Sequence, residues 1–436
     1  MSAPASKEKG FAARLGPGLI TGAADDDPSG IATYSQAGAQ YGFGLLWSIL
    51  LTTPMMAAIQ IVSARIGRVT GHGLAANIRD HFPAWLLYSI VGLLLFANTL
   101  NIAADISAMG SAMEMAIGGP RQMWTVLFAV ISVSLQIMVP FPRYAPILKW
   151  LTLTLFAYVA TLFVVHTPWE EALRSALWPN FEWDAKYTST LVAVLGTTIS
   201  PYLFFWQASQ EVEEQRAAPG EEPLNVAPEQ ASEHLRRIKL DTWLGMTFSN
   251  LVALCIMLTT AATLNANGIL TIDSAAQAAQ ALRPIAGDFA FALFTAGIVG
   301  TGMLAIPVLA GSAAYAVAES FRWPIGLGLP LLEARGFYAI LSGATIVGVG
   351  LGFTRIDPIQ ALLWSAVVNG VIAVPIMAVM MLLSAKPGVM GTFTARLKLR
   401  VLGWLSTAVA GDRASLRRPR CTTAACSTTT RPPRRS

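Results

Sequence analysis

The chain has 436 residues, of which 54% are hydrophobic and only 13% are charged, and its mean hydropathy is +0.53. Soluble domains carry about 25% charged residues, so this composition excludes an ordinary water-soluble fold. Cys255, Cys421 and Cys426 have no spacing typical of a disulfide framework or a zinc site. The formal net charge of +5 does not indicate nucleic-acid binding, because basic residues of membrane proteins concentrate on the loops of one side.

About ten stretches are long enough to cross a bilayer core of about 30 Å as helices. The predicted spans are 14–37, 43–64, 85–112, 122–141, 146–166, 189–212, 241–264, 289–320, 336–353 and 358–384. The segment 397–410 is short and basic, so we expect it to be interfacial or vestigial, although an eleventh span stays possible. Residues 1–410 are predicted to form a single transmembrane domain, and residues 411–436 a disordered basic cytoplasmic tail.

Basic residues between the spans predict the orientation of the chain. Eighteen Lys and Arg residues lie on the side of the N-terminus, and five lie on the opposite side, namely Arg121, Arg174, Lys186, Arg283 and Arg355. Both termini are therefore expected in the cytoplasm. The first apolar run contains Gly and Pro and is followed by aspartates, which argues against a cleaved signal peptide.

The first span contains a polar interruption. The helix up to Ala24 rises about 21 Å, which is well inside the bilayer, and residues 25–30 then read DDDPSG. Pro28 removes a backbone donor and Gly30 permits almost any backbone angle, so the helix should break here. Carboxylates at membrane depth are costly and normally face a cavity, an ion or each other. We therefore expect Asp27 to bind a cation.

A second interruption falls in the sixth span, where residues 196–202 read GTTISPY. Two sets of five helices that each begin with a discontinuous helix are typical of inverted repeats with a binding site between them. The repeats are predicted at about 14–166 and 189–384. Freed carbonyls, hydroxyls and a carboxylate would form an oxygen-rich pocket, which suits a hard cation. The predicted metal site comprises Ala24, Asp27, Gly30, Thr197 and Ser200.

Further polar residues in the spans are predicted to line an aqueous path. Asn98, Asn101 and Asp105 share one face of the third span at i, i+3 and i+7 spacing. The other candidates are Asp25, Asp26, Tyr202, Gln207 and Asn369. Structural alternatives stay open, because buried aspartates can be neutral, hydroxyls can satisfy carbonyls freed by a proline, and asparagines can join helices.

Both interruptions also resemble motifs of the Nramp divalent-metal transporters. Residues 16–18 (GPG), 27–30 (DPSG) and 37–42 (AGAQYG) are similar to the first helix of that family, whose motif is Asp-Pro-Gly-Asn. Residues 197–202 (TTISPY) are similar to the sixth-helix motif Ala-x-x-Met-Pro-His. The resemblance extends through residue 384. It implies an all-α membrane protein with a LeuT-type 5+5 inverted repeat, helices 1 and 6 broken, and uptake of divalent metal ions.

The departures from the family motifs bear on the transported ion. Asp27 matches the metal-binding aspartate, but the asparagine is Gly30, the methionine is Ser200 and the proton-linked histidine is Tyr202. A thioether favours softer transition metals, so a hydroxyl should relax discrimination against Mg²⁺, which keeps its water. The pattern resembles the Nramp-related magnesium transporters, which handle Mg²⁺ and Mn²⁺. Proton coupling is expected to be weak or absent, since Ala108 also stands where a second acid is expected.

These observations favour a divalent-cation transporter over two alternatives. One is a sodium- or proton-coupled carrier of a small organic solute such as an amino acid, whose carboxylate the three aspartates would repel. The other is an enzyme, but no nucleophile with a base, metalloprotease helix or phosphate loop is found. We expect a protein of the inner membrane that contacts lipid and its metal substrate and needs no cofactor. The sequence does not define the oligomeric state.

Overall fold

The computed structural model describes residues 17–139, 143, 150, 153–179, 181, 184–353 and 356–415, and those residues are mostly helical. Within this part of the chain, eight helical segments are long and apolar enough to cross a membrane. The first predicted span is absent from these eight because its two halves are short helices. The fifth is represented by the apolar segment Leu153–Val164, since much of 140–152 lies outside the described residues.

Fifteen of the helices are numbered in chain order. The first eight are α1 (Pro17–Asp25), α2 (Pro28–Tyr41), α3 (Leu46–Thr70), α4 (Leu74–His81), α5 (Ala84–Ile117), α6 (Arg121–Met138), α7 (Phe156–Val164) and α8 (Trp169–Leu177). The remainder are α9 (Ala185–Thr198), α10 (Pro201–Ala217), α11 (Ala231–Thr263), α12 (Ala290–Ser320), α13 (Arg335–Gly352), α14 (Pro358–Ala385) and α15 (Leu397–Ser415). Short helical turns at Ala275–Gln280, Arg283–Ala286 and Pro387–Met390 connect them.

Both predicted helix breaks are present. Between α1 and α2, Asp27 adopts extended backbone angles and caps α2, accepting a hydrogen bond from the Gly30 N–H at 2.7 Å, and Pro28 is the first helical residue. Between α9 and α10, Ser200 is likewise extended and Pro201 begins the second half. A proline at the first helical position loses no hydrogen bond, so each new half starts without a backbone penalty.

Proline alone does not cause the breaks. Pro54 in α3, Pro307 in α12 and Pro375 in α14 all lie inside continuous helices. At the breaks, the proline instead follows a polar residue in an extended conformation, namely Asp27 or Ser200. A helix therefore breaks where polar side chains satisfy the backbone N–H and C=O groups that the proline frees, and a proline without such side chains leaves the helix continuous.

Small residues bring the broken helices close to their neighbours. A Cβ atom on Gly22 of α1 would lie 2.4 Å from the Gly245 carbonyl oxygen of α11. A Cβ atom on Gly196 of α9 would lie 2.1 Å from the Ala366 carbonyl oxygen and 2.4 Å from the Gly370 nitrogen of α14. Such close backbone approach is how membrane helices gain packing energy. It fixes both breaks at the centre of the bundle.

One end of the bundle, here called the basic end, carries Arg65, Arg68, Arg216, Arg237 and Arg322. The segment predicted as interfacial or vestigial forms α15, which packs against α3 and α14. Its Ser406 hydroxyl donates to the Met55 carbonyl of α3 at 3.4 Å. Helix α15 ends at Ser415, five residues into the segment predicted as tail, and residues 416–436 lie outside the described part of the chain.

Candidate functional site

The two helix breaks meet. The Tyr202 hydroxyl at the start of α10 donates to the Ala24 carbonyl of α1 at 3.1 Å, and the Tyr34 hydroxyl of α2 lies 3.0 Å from the Thr198 hydroxyl of α9. A Cβ atom on Gly30 would lie 3.3 Å from Thr197 Oγ1. All five residues of the predicted metal site therefore belong to segments in mutual contact, and the absent side chain of Gly30 keeps the space between Asp27 and Thr197 open.

Asp27 lies at the centre of this contact and is only 2% exposed. Its Oδ1 accepts from the Gly30 N–H at 2.7 Å, and its Oδ2 accepts from the Asn101 side-chain amide at 3.2 Å. Among the ion pairs found between described residues, none involves Asp27. Neutral donors thus orient the carboxylate but leave its charge uncompensated, as a carboxylate that binds a cation requires.

Asp25 and Asp26 face α11, and no hydrogen bond found between described residues joins their side chains to the second break. The Ser249 hydroxyl of α11 lies 2.7 Å from Asp25 Oδ2 and 3.1 Å from Asp26 Oδ1. Asp25 Oδ1 is buried without a hydrogen-bond partner. Both residues lie at the C-terminal end of α1, where the helix dipole disfavours negative charge. Asp25 and Asp26 therefore have a hydrogen-bond partner, Ser249, that is different from the partners of Asp27.

The three polar residues of α5 have different environments. Asn101 donates to Asp27, whereas Asn98 donates to the Leu309 carbonyl and the Ser312 hydroxyl of α12 at 2.9 and 2.8 Å. Asp105 is fully buried, and neither of its carboxylate oxygens has a hydrogen-bond partner among the described residues. Only Asn101 of this face contacts the candidate metal ligand directly, and Asn98 joins two helices.

The hydroxyls of the second break mainly satisfy freed carbonyls. Ser200 Oγ donates to the Gly196 and Thr197 carbonyls at 3.0 and 2.8 Å, and Thr198 Oγ1 donates to the Val194 carbonyl at 2.6 Å. Ser200 therefore has the structural role that the sequence left open for the hydroxyls of Ser200 and Thr197, and Thr198 has the same role. A hydroxyl that donates its proton still has oxygen lone pairs, so these contacts are compatible with cation binding.

The remaining predicted path residues lie on both sides of Asp27. Gln207 Oε1 accepts from the Thr21 hydroxyl and ties α10 to α1 on the side of the basic end. Asn369 of α14 is buried beside Gly370, and its Oδ1 has no hydrogen-bond partner within the described part of the chain. The sequence prediction missed Tyr34 and Ser249, which both touch the site. A lone serine or tyrosine in an apolar span gives no periodic signal, so only the packing of α2 and α11 identifies them.

The described residues contain no group of three or more His, Cys, Asp and Glu side chains placed to hold a metal ion. An ion at Asp27 would therefore take its other ligands from carbonyl, hydroxyl and amide oxygens and from water. Oxygen-only coordination that retains water is what Mg²⁺ prefers, and Mn²⁺ accepts the same ligands.

A cavity of about 330 Å³ opens towards the end of the bundle opposite the basic end. Its lining includes Gln36 and Gln40 of α2, Lys186 and Ser189 of α9, Asp273 and Gln360. Gln36 follows Asp27 by nine residues, or about 14 Å of helix. This cavity, here called the vestibule, is lined by none of the residues of the candidate metal site. On the side of the basic end, α1 and α10 are in contact.

A buried carboxylate between two discontinuous membrane helices is typical of multi-pass transporters whose central helices are broken. The family model described as natural resistance-associated macrophage protein-like, Nramp, matches residues 18–411. The chain belongs to the Nramp family, whose members are metal ion transporters and not enzymes.

Curated relatives of this chain share 26–27% of their aligned residues with it. The divalent metal cation transporter MntH of Pectobacterium carotovorum is 26% identical over 363 residues, 81% of this chain and 81% of that protein. MntH of Yersinia pestis is 27% identical and spans 76% of this chain and 78% of its own length.

Solved structures confirm the predicted fold class. The Eremococcus coleocola manganese transporter superposes with a TM-score of 0.73 at 16% identity, covering 95% of this chain and 88% of that one. Mhp1, a nucleobase-cation-symport-1 family transporter, has a TM-score of 0.54 at 13% identity and covers 93% of both chains. At these identities the likeness establishes the fold alone, which is the LeuT type.

Proposed function

We propose that this protein imports Mg²⁺, Mn²⁺ or both by alternating access, with Asp27 as the only carboxylate that binds the ion directly. The observation that carries the proposal is the buried, oriented and unpaired carboxylate of Asp27 where the two helix breaks meet. A fixed negative charge at membrane depth is costly unless a cation visits it. The names of the MntH relatives and of the manganese transporter support a divalent metal as that cation.

The remaining ligands come from both breaks. We assign the Ala24 carbonyl, the Thr197 and Ser200 hydroxyls and water molecules in the space beside Gly30. The Ala24 carbonyl already accepts from Tyr202 and has a second lone pair for the ion. This set contains neither sulfur nor imidazole, so it does not select softer transition metals over Mg²⁺.

Proton coupling is weak or absent in this proposal. Tyr202 occupies the position of the family's proton-linked histidine and is fully buried, with its hydroxyl bonded to the Ala24 carbonyl. A phenol has an ordinary pKa of about 10 and does not exchange protons readily at neutral pH, whereas imidazole does. Asp105 has no neighbouring acid at position 108, which is alanine.

The direction of transport follows from the orientation of the chain. The surplus of basic residues assigns the basic end and both termini to the cytoplasm, and bacterial relatives support an inner-membrane location. The vestibule then faces outwards. On the cytoplasmic side, the Gly18 N–H donates to Asp241 Oδ2 of α11 at 2.7 Å, and Thr21 donates to Gln207. Release of the ion requires α1 to move away from α10 and α11, which breaks these bonds.

A sodium- or proton-coupled carrier of a small organic solute is the second candidate, because Mhp1 has the same fold. The aspartates at positions 25–27 oppose it for any solute with a carboxylate. Uptake of labelled amino acid by the reconstituted protein would favour this candidate.

The test is ion flux into liposomes. Mg²⁺ and Mn²⁺ entry is followed with an interior dye while internal pH is recorded, for the wild type, Asp27→Asn and the exposed-site control Asp288→Asn. Metal entry that is lost only in Asp27→Asn, without acidification in the wild type, is the expected result. Equal entry in all three proteins, or none in any, would contradict the proposal, and acidification would refute uncoupled transport.

A further inference from the structure

A second cavity of about 380 Å³ lies at the basic end, where α4 and the ends of α10 and α12 meet. It does not include Asp27 or any other residue of the candidate metal site. Its lining includes His72, Arg79, Arg216, Glu319 and Arg322, and Trp323 forms part of its wall.

Two guanidinium groups of this cavity are available to a ligand. Arg322 has a side chain that is 77% exposed, and its nearest acidic partner, Asp80, is 4.0 Å away. Arg216 is exposed, and it donates a long hydrogen bond of 3.5 Å to the Gly71 carbonyl. Arg79, in contrast, is fixed by Asp80 at 2.9 Å and by the Glu319 carbonyl.

The acidic groups near the cavity are already bound to other donors. The Glu319 carboxylate is buried and accepts from the Ala76 N–H at 3.1 Å and the Ser209 hydroxyl at 3.2 Å. Asp80 accepts two hydrogen bonds from Arg79. Arg216 is also within electrostatic range of Glu319 and of Glu213, whose carboxylate accepts from the Tyr315 hydroxyl and the Leu327 N–H. Neither carboxylate forms an ion pair with Arg216 among the described residues, so the guanidinium groups of Arg216 and Arg322 stay open to a ligand.

Arg322 also occupies an unfavourable backbone conformation. Its φ is +59°, and it is the only non-glycine residue of the described chain with a positive φ. It follows the C-terminal end of α12, a position where glycine is usual because it adopts left-handed angles without a steric cost. An arginine at such a position indicates that its side chain has a use other than ending the helix.

Aromatic side chains place this cavity at the depth of lipid headgroups. Tyr88 and Phe321 are half exposed with ring centroids 6.0 Å apart, and Phe321 stacks on Trp323 at 5.3 Å. Trp85, one turn from Tyr88, is 68% exposed. Exposed Trp and Tyr of membrane proteins concentrate at the membrane–water interface.

We propose that Arg216 and Arg322 bind the phosphate headgroup of an anionic phospholipid from the leaflet at the basic end. Guanidinium groups pair with phosphate oxygens through parallel hydrogen bonds, and basic pockets between membrane helices bind anionic headgroups. Arg216 belongs to α10, the second half of a broken helix, whereas Arg322 follows α12. A bound headgroup therefore joins a half-helix of the transport site to a continuous helix of the bundle.

The test measures lipid binding to the purified full chain by native mass spectrometry, with phosphatidylglycerol and phosphatidylcholine as probes. Arg322→Gly is the informative variant, because it removes the charge and also relieves the backbone strain, so the protein should be at least as thermally stable as the wild type. Arg216→Gln removes the second charge. Arg236→Gln, on an exposed position of α11, is the matched control.

We expect the wild type to prefer phosphatidylglycerol, and each of the two cavity variants to lose about fivefold in affinity for it, since a basic residue near an anionic surface contributes about 1 kcal/mol. Arg236→Gln should bind as the wild type does. Equal binding of the two lipids, or unchanged binding by both Arg322→Gly and Arg216→Gln, would overturn the proposal. Inorganic phosphate that competes at concentrations similar to those of the lipid would show a soluble-anion site and would also overturn it.

Discussion

Two groups of acidic residues differ in their partners, namely the three aspartates at the first helix break and the pair Glu211 and Glu214 at the basic end. At the helix breaks, Asp25, Asp26 and Asp27 receive hydrogen bonds only from neutral donors. At the basic end, the fully buried carboxylate of Glu211 pairs with Arg237 at 2.7 Å, and Glu214 pairs with the same guanidinium at 2.6 Å.

This difference distinguishes acids that stabilise the fold from acids that are available to a cation. A buried acid with a fixed arginine is neutralised permanently, and removal of either partner leaves an uncompensated charge. A buried acid without a fixed partner stays costly until a mobile cation arrives. In the proposed function, Glu211 and Glu214 belong to the closed cytoplasmic side, and the acids at the breaks belong to the transport path.

The largest expected effect comes from the paired region. Arg237→Ala leaves the Glu211 carboxylate buried without a cation and should lower the free energy of unfolding by about 3–5 kcal/mol, as for other broken buried pairs. Detergent-solubilised protein can be compared by thermal unfolding followed by tryptophan fluorescence.

The double variant Arg237→Ala/Glu211→Gln is the control for this prediction. Because a neutral glutamine needs no counter-charge, it should recover most of the lost stability. A double variant as unstable as Arg237→Ala alone would show that Arg237 contributes through packing and not through its charge.

A smaller effect is expected from the neutral donor that orients the candidate ligand. Asn101→Ala removes the 3.2 Å hydrogen bond to Asp27 Oδ2. Partners of metal ligands typically contribute about 10–100-fold in metal affinity, so Mn²⁺ affinity should fall within that range. Isothermal titration calorimetry measures the change directly.

Asn98→Ala is the matched control, since Asn98 lies one turn away on α5 and donates to α12 instead of Asp27. It should reduce thermal stability with little change in metal affinity. Equal affinity losses in the two variants would indicate that α5 acts through its packing alone.

The smallest expected effect concerns ion preference. Ser200→Met restores a thioether at the second break, which should shift the Mn²⁺-to-Mg²⁺ preference towards Mn²⁺ by about tenfold, a change that corresponds to 1.4 kcal/mol. Competition flux assays report the preference, with Ser232→Met on an exposed position as control. An unchanged preference would place Ser200 outside the coordination sphere.

Much of this architecture follows from residue types in the sequence. Aspartate, proline and glycine in an apolar span predicted the break at Asp27, and the structure has it there. The hydrogen bond between Asn101 and Asp27 was predictable only in part. Helical spacing shows that Asn98 and Asn101 share a face of α5, but it does not show which neighbour each side chain contacts.

Other features depend on contacts between distant segments. Ser249 reaches Asp25 across more than two hundred residues of chain, and no local pattern marks it. The Tyr202 hydroxyl bound to the Ala24 carbonyl is likewise a product of packing between the two breaks. Helix α15 is longer than the predicted segment 397–410, and its docking on α3 and α14 depends on small residues such as Gly403.

The central claim is that the unpaired carboxylate of Asp27 binds the transported ion. Its most direct test is a Mn²⁺ titration of purified protein followed by electron paramagnetic resonance, which distinguishes bound from free Mn²⁺, in the wild type, Asp27→Asn and Asp288→Asn. The account predicts one site that Mg²⁺ displaces, unchanged in Asp288→Asn and weakened more than about 100-fold in Asp27→Asn, since even indirect partners of a metal contribute up to that much. Mn²⁺ bound with wild-type affinity by correctly folded Asp27→Asn would contradict it.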